Sequence, residues 1–384
     1  MTKDPKHIDT DVLNIGKQNE YFEWEKLMSI NLKFYSSARR LGTSISARAS
    51  LLSSAVALAL PLLAGTAAAE TVLKFAATVP LENATAQRVF KPWADKVNEE
   101  AKGEFRIQVY GLELANSRNV WERTLNGVVD IGWALHGTVG LPFPKTSVIT
   151  LPALVEDTQA GAAASALWKL YESGLLADEY KNIKVLGLVA LPVQGLASKS
   201  KVAKLDDIKG QKIRSADKLS GDIASALGGS PISLSATEVY QALSRGVVDS
   251  AIANWIMMGA FRLTEVTNDY VTGISLGAPS GFIVMNPKAY EKLSEKGKQI
   301  LAKHTGAGMS RQISNGLEQL SHNLRDSIVK NNAKYNVVEI SPEEKARWTK
   351  ALETAQAKWV ADTPNGKKVL EQFKIEFDKA KAEK

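Results

Sequence analysis

One arginine stands out for the chemistry that its position allows. Residues 210–255 predict a short strand ending on Arg214, then a helix of small residues, a second strand and helix, and a further strand. Ligands of open α/β sheets bind outside the carboxyl ends of the strands. A guanidinium at such an end can place two hydrogen bonds on one carboxylate. Arg214 is therefore our first candidate for binding an organic anion.

The composition argues against several other kinds of chemistry. The chain has 384 residues and no cysteine, which excludes disulfides, thiolate metal sites and cysteine nucleophiles. The formal net charge is +7; residues 1–69 carry eight Lys/Arg and six Asp/Glu, which leaves +5 on residues 70–384 without long basic runs. The motifs H-E-x-x-H and G-x-G-x-x-G are absent from the sequence. We predict a protein that is not an enzyme and has no cofactor, metal or nucleic-acid partner.

The first 69 residues have the features of an export signal. Three arginines precede the apolar run 51–63, and the alanines 67–69 offer a cleavage site. The run is shorter than the about 20 residues of a membrane span. An uncleaved anchor is the alternative, and Met28 is a plausible true start because the region before the apolar run is unusually long. We predict that residues 1–69 are removed and that the mature protein is soluble and periplasmic.

Two stretches of the chain repeat one pattern. Residues 120–130 and 239–249 share an apolar pair followed by Gly-Val-Val-Asp, at a constant offset of 119 residues. This interval is too long for a solenoid repeat, and it predicts two lobes built on one plan. A chance recurrence of a common helix-to-strand connection is the alternative. The same offset pairs His136 with Trp255, so these two residues should follow equivalent strand ends.

The rest of the chain alternates strand and helix patterns, as in an α/β protein. The apolar run 185–191 predicts a buried central strand, and residues 192–195 and 277–281 predict two crossings between the lobes. From Ser310 an apolar stripe marks a helix of about 20 residues, about 30 Å long and able to lie across both lobes. The Lys-rich end after Lys367 predicts a solvated tail helix.

These patterns define a domain hypothesis. Lobe I consists of residues 70–192 and 281–319, and lobe II consists of residues 193–280 and 320–384, which include the C-terminal helices.

The ordered motifs of the chain resemble one family, the DctP-like solute-binding proteins of tripartite ATP-independent periplasmic (TRAP) transporters. The matching motifs include Gly-Gln-Lys-Ile-Arg at 210–214, Ala-Leu-Gly-Gly-Ser-Pro at 226–231 and Glu-Val-Tyr-Gln-Ala-Leu at 238–243, and they span the chain from Glu70 onward. The resemblance implies a two-lobed, type II-like periplasmic-binding-protein fold with a long connecting helix. It also implies that Arg214, the arginine of the G-x-K-[IL]-R motif, holds a ligand carboxylate. The alternative is an arginine that ties its strand to a neighbouring aspartate.

The chain departs from the sialic-acid-binding members of that family. Those members carry a second arginine where this chain has Gln194, and an asparagine where it has Ala253, followed here by Asn254 and Trp255. Gln, Arg and Trp at these spacings resemble the members that bind 2-oxo acids. Some of those use the Trp and a following acidic residue to hold a metal, but Ile256 follows here, so we predict no metal site.

A single arginine favours one strongly held carboxylate. The weaker donors Gln194, His136 and Asn254 could then hold an oxo, a hydroxy or a second acid group. Trp133, Trp255 and Phe282 would supply apolar walls and leave room for an aromatic acid. Core packing is the alternative for Trp133, and a satisfied core or surface histidine is the alternative for His136.

The predicted function is an extracytoplasmic TRAP solute-binding protein, a monomer that captures a small monocarboxylate and delivers it to the membrane permease. The expected ligand is a 2-oxo, 2-hydroxy or aromatic acid. The alternatives are a C4-dicarboxylate binder of the same family, an ABC-type or sensor-coupled binding protein, and a periplasmic enzyme.

Overall fold

Two mixed β-sheets organise the chain. The computed structural model describes residues 70–332 and 335–383, so the predicted export signal lies outside the described residues. The strands are β1 (Thr71–Ala76), β2 (Phe105–Tyr110), β3 (Ile131–Leu135), β4 (Lys184–Ala190), β5 (Gly195–Ser198), β6 (Lys212–Ser215), β7 (Ser230–Ser233), β8 (Ser250–Ala253), β9 (Asp269–Thr272), β10 (Ser280–Met285) and β11 (Asn336–Glu339).

Helices cover the sheets. A π-helical turn at Ala86–Phe90 leads into the first of them. The helices are α1 (Lys91–Glu100), α2 (Val120–Leu125), α3 (Ala160–Glu172), α4 (Lys218–Ala226), α5 (Val239–Ser244), α6 (Trp255–Ala260), α7 (Pro287–Glu291), α8 (Glu295–Lys303), α9 (Gly306–Asn331), α10 (Pro342–Asp362) and α11 (Gly366–Ala382). None of the helices in the described part of the chain combines the length and the apolar character needed to cross a membrane.

Each sheet contains a reversed strand beside the crossings. The first sheet has the order β2-β1-β3-β10-β4 and the second β11-β9-β5-β8-β6-β7. β10 runs antiparallel to β3 and β4, and β5 runs antiparallel to β8 and β9. The chain passes from β4 to β5 and returns from β9 to β10 near the two predicted positions, and it passes to the second sheet again between β10 and β11 through α9. The two-lobed α/β fold is confirmed, while the lobe boundaries remain predictions.

The 119-residue sequence repeat corresponds to equivalent helices and strands in the two lobes. α2 and α5 begin and end at this offset, β3 and β8 begin at it, and each helix is followed by a glycine with a φ near 70°. Asp130 pins β1, because its Oδ2 accepts the Lys74 N–H at 2.7 Å. Asp249 pins β6 in the same way, accepting the Lys212 N–H at 2.8 Å. The repeated aspartate therefore holds a neighbouring parallel strand in register in each lobe.

The long helix α9 contacts both lobes, as predicted. It has 26 residues, about 39 Å at 1.5 Å per residue. Its serine hydroxyls at 310 and 314 accept the N–H groups of Leu188 and Ala190 in β4. Further along, Leu324 packs against Gly259 of α6 in the second lobe. The prediction that 185–191 is a central strand is wrong, because β4 is an edge strand whose free N–H groups are satisfied by α9.

The C-terminal helix α11 is packed against the rest of the protein, whereas the sequence predicted a solvated tail helix. Val369, Phe373 and Phe377 are buried, and the helix packs against α3. Arg311 donates to the carbonyls of Ala380 and Glu383 and so holds the end of the helix. The lysines occupy the outer face, whereas the apolar stripe determines the packing. The domain hypothesis groups this helix with lobe II, and that assignment remains a prediction.

Candidate ligand-binding cleft

Two sheet edges meet between the lobes. β5 runs antiparallel to β8, and Gly195 pairs with Ala253. Gln194, just before β5, and Asn254, just after β8, therefore lie at the same edge of the second sheet. In the first sheet Gly281 pairs with Leu135, so Ser280 and His136 lie together at the corresponding edge. The carboxyl ends of the parallel strands point to these edges, which is where α/β proteins bind ligands.

The two edges are in contact at Gly137 and Asp217. A Cβ added to Gly137 would lie 2.8 Å from Asp217 Oδ2. Asp217 caps α4, since its Oδ1 accepts the Ser220 N–H at 2.8 Å. Charges also act between the lobes here: hydrogen bonds from Ser235 lower the pKa of Glu238, and the positive charge of Arg118 lowers it further. The lobes are therefore close together at this rim.

Arg214 is a buried cation at the end of β6. Its side chain is packed so that the residue is 4% exposed. Nε donates to the Leu234 carbonyl at 3.0 Å, and Nη1 lies 3.8 Å from Met257 Sδ. Burial lowers the pKa of Arg214 to about 10, although the nearby charge of Asp217 opposes this shift.

No carboxylate of the described residues lies within 4.0 Å of the Arg214 guanidinium. The alternative of an arginine tied to a neighbouring aspartate has no support in these contacts, because Asp217 is engaged as a helix cap. A desolvated guanidinium lacking a counter-ion is costly by itself, and an anionic ligand would relieve that cost.

Gln194 and Asn254 lie at the same edge as Arg214, within the first crossing and after β8. The Gln194 backbone exchanges hydrogen bonds with Leu276 and Gly277 of the second crossing, so the two crossings are joined here. Asn254 caps α6, accepting the Met257 N–H at 3.0 Å through Oδ1. Its amide group is therefore already partly used within the fold, and its ligand contact remains a prediction.

Trp255 begins α6 and stacks on Tyr270. The ring centroids are 4.1 Å apart with an interplanar angle of 35°. Tyr270 is fixed in turn, because its hydroxyl accepts the Gly195 N–H and donates to the Ala253 carbonyl, each at 2.9 Å. An aromatic pair held by these hydrogen bonds thus lies next to Gly195 and Ala253, at the edge where Gln194 and Asn254 lie.

His136 lies directly after β3 and belongs to a buried polar chain. Nε2 is 2.7 Å from the Tyr180 hydroxyl, and Nδ1 is 3.0 Å from Ser280 Oγ. The Tyr180 hydroxyl contacts Thr146 Oγ1, which donates to Glu179. The hydroxyl of Tyr180 must then donate to Thr146 and accept from Nε2–H, which leaves Nδ1 to accept from Ser280. Both ring nitrogens have protein partners, so these contacts favour the core-histidine alternative.

Trp133 and Phe282 are mid-strand residues that pack into the layers of lobe I. The Trp133 ring lies 5.0 Å from that of Phe90 and crosses over Gly281, where a Cβ would approach it to 2.4 Å. Phe282 is fully buried between Trp121 and other aromatic rings. These contacts do not favour a role for either residue as a ligand wall.

Sequence reasoning missed three residues of this cleft. Met257 touches the guanidinium, Tyr270 supports Trp255, and Gly137 permits the close approach of the lobes. Met257 follows Trp255 by two residues near the start of α6, which is a local signal that could have been used. The Tyr270 and Gly137 contacts join distant segments, and no local pattern marks them.

The family follows from comparison with known proteins. Residues 75–362 match the model of the bacterial extracellular solute-binding protein family 7, DctP. This chain belongs to that family. DctP proteins are the extracytoplasmic receptors of TRAP transporters and catalyse no reaction. The recognition made from the sequence motifs is thereby confirmed.

Solved DctP structures share the fold along most of the chain. A marine-metagenome TRAP solute-binding protein specific for aromatic acid ligands, in complex with metahydroxyphenylacetate, is 26% identical with a TM-score of 0.75. That match covers 81% of this chain and 99% of the other. A TRAP solute-binding protein from Rhodoferax ferrireducens T118 with copurified benzoate is 23% identical, with the same TM-score and coverage. The protein TsaT of Comamonas testosteroni, an outer membrane transporter protein, is 25% identical over 69% of this chain and 78% of its own length.

Close approach of the two lobes should depend on residue 137 being a glycine, which has no side chain. Gly137→Ala is expected to disfavour the closed arrangement by about 1–3 kcal/mol, because its Cβ would overpack Asp217. Small-angle X-ray scattering should then give a larger radius of gyration than for the unaltered protein. Adding Asp217→Ser, which shortens the side chain but keeps a helix cap, should restore the compact value. An unchanged radius in Gly137→Ala would contradict this account.

Proposed function

We propose that this protein is a periplasmic TRAP receptor that binds an organic monocarboxylate through Arg214 and delivers it to the membrane permease. The observation that carries the proposal is the buried guanidinium of Arg214, which has no carboxylate within 4.0 Å among the described residues. A ligand carboxylate would supply the missing counter-ion and could accept two parallel hydrogen bonds. Export through the predicted signal would place the receptor where its substrate arrives.

The surroundings of Arg214 favour a single carboxylate on an apolar or aromatic body. The polar neighbours at this edge, Gln194 and Asn254, are neutral amides, and Asn254 already caps a helix. Met257 provides apolar surface in contact with the cation, and the aromatic pair Trp255–Tyr270 lies two residues away at the start of the same helix. The relative that is 26% identical is specific for aromatic acids, which agrees with this choice.

A thermal-shift screen of organic acids tests the proposal. The panel contains benzoate, 3-hydroxybenzoate, mandelate, lactate, pyruvate and succinate, together with a neutral sugar, a cationic amine, and benzamide as a neutral match for benzoate. A ligand at about 100 times its Kd stabilises the folded state by about 2.7 kcal/mol. We expect a monocarboxylate to raise the melting temperature most and benzamide to leave it unchanged. A sugar or a cationic amine as the best ligand, or an equal response to benzamide, would overturn the carboxylate proposal.

A further inference from the structure

The guanidinium of Arg214 has one open edge for a carboxylate. A planar fork can use either the Nε and Nη2 edge or the Nη1 and Nη2 edge. Nε already donates to the Leu234 carbonyl at 3.0 Å, so the first edge is taken. The thioether sulfur of Met257 lies 3.8 Å from Nη1, one of the two nitrogens of the second edge. A carboxylate that binds through this edge would therefore come close to Met257.

Met257 combines a fixed backbone with a flexible side chain. Its N–H donates to Asn254 Oδ1 at 3.0 Å, which anchors it in the first turn of α6. Two residues earlier, Trp255 is fixed by its stack on Tyr270. The Met257 side chain is only partly buried. Its three rotatable bonds let it move from the guanidinium without disturbing the helix.

We propose that Met257 determines which acids the cleft prefers. The ligand carboxylate displaces the thioether from Nη1, and the displaced thioether then covers the group bonded to the carboxyl carbon. Sulfur makes favourable contacts with aromatic rings. A hydroxyl group in the same place would lose water and find only a weak acceptor in the thioether, and an oxo group would find no donor there. The site therefore selects acids with an aromatic or other apolar group next to the carboxylate over small hydroxy and oxo acids. This inference rests on the proposed role of Arg214.

A polar replacement of nearly the same length tests the selection. Calorimetry would measure Kd for benzoate and lactate in the unaltered protein and in Met257→Gln, Met257→Leu and Arg214→Met. We expect Met257→Gln to shift the benzoate-to-lactate preference about tenfold towards lactate, which is about 1.4 kcal/mol. Met257→Leu should keep the preference for benzoate. Melting temperatures of the ligand-free variants check that each one folds.

The same set of variants separates the two proposals. If Arg214→Met binds benzoate as well as the unaltered protein does, or if the unaltered protein binds no carboxylate, the proposed function fails and this inference fails with it. If Arg214→Met loses benzoate while Met257→Gln leaves the preference unchanged, only the inference about Met257 is overturned.

Methionine-methyl NMR gives a second readout that does not depend on weak lactate binding. The chain has few methionines, and Met258, Met285 and Met309 are buried in the core. In protein labelled with 13C at the methionine methyl groups, saturating benzoate should shift the Met257 resonance most, through the ring current of the ligand. Loss of that resonance in Met257→Leu assigns it. A Met257 signal that stays in place while benzoate saturates the protein would overturn the inference.

Discussion

Replacing Arg214 with methionine is expected to weaken binding of the best carboxylate ligand at least about a hundredfold. Removing one partner of a buried, hydrogen-bonded charge pair costs about 2–5 kcal/mol, and a hundredfold loss corresponds to about 2.7 kcal/mol. The unliganded protein should not lose stability in the same proportion. Burial lowers the pKa of Arg214 to about 10, which means that the fold disfavours this charge when no anion is bound. Affinity and stability should therefore respond differently.

Two further variants control for the loss of an arginine. Arg245→Met removes an exposed arginine after α5 in the same lobe and should leave affinity unchanged. Arg214→Lys keeps a positive charge but lacks the planar fork, so an intermediate loss of about tenfold is expected. Affinities are measured by calorimetry and stabilities by urea unfolding. If Arg214→Met retains affinity within about threefold, or if its affinity and stability fall together, the carboxylate role of Arg214 is wrong.

The parts of this fold that the sequence predicted are those determined by local chemistry. The Gly-Val-Val-Asp repeat marks helix ends and strand starts in both lobes, and Asp130 and Asp249 pin equivalent strands. Arg214 could be assigned to a strand end because the strand and the following helix are contiguous in sequence. The error at α11 is instructive, since Val369, Phe373 and Phe377 recur every four residues and indicate a buried face among the lysines.

The parts that the sequence did not predict depend on contacts between distant segments. β4 has the apolar run of a central strand, yet it is an edge strand covered by serines of α9 more than 120 residues away. Trp133 and Phe282 were proposed as cleft residues, and their rings pack against other aromatic rings of lobe I that come from distant segments, so their ligand contact remains a prediction. His136 follows the end of β3, and its partners Tyr180 and Ser280 come from distant parts of lobe I.

Acidification is expected to destabilise the protein through His136. Burial lowers the pKa of His136 from 6.5 to about 3, because the charged ring would lose its hydration inside lobe I. The folded-state pKa is below the unfolded-state value, so the stabilising contribution is complete above about pH 6.5 and declines as the pH falls towards 3. Between about pH 7.5 and 4.5 the free energy of unfolding should fall by about 2–3 kcal/mol from this group alone.

The variant His136→Gln isolates this contribution, because a glutamine amide can donate towards Tyr180 and accept from Ser280 but does not titrate. Urea unfolding at several pH values should show the stability advantage of the unaltered protein over His136→Gln shrinking as the pH falls. Glu179, whose pKa is raised by burial, is present in both proteins, so its own titration cancels in the difference. A constant stability difference between the unaltered protein and His136→Gln across this pH range would contradict the prediction. It would mean that the ring can be protonated in the folded state without cost, although both of its nitrogens already have protein partners.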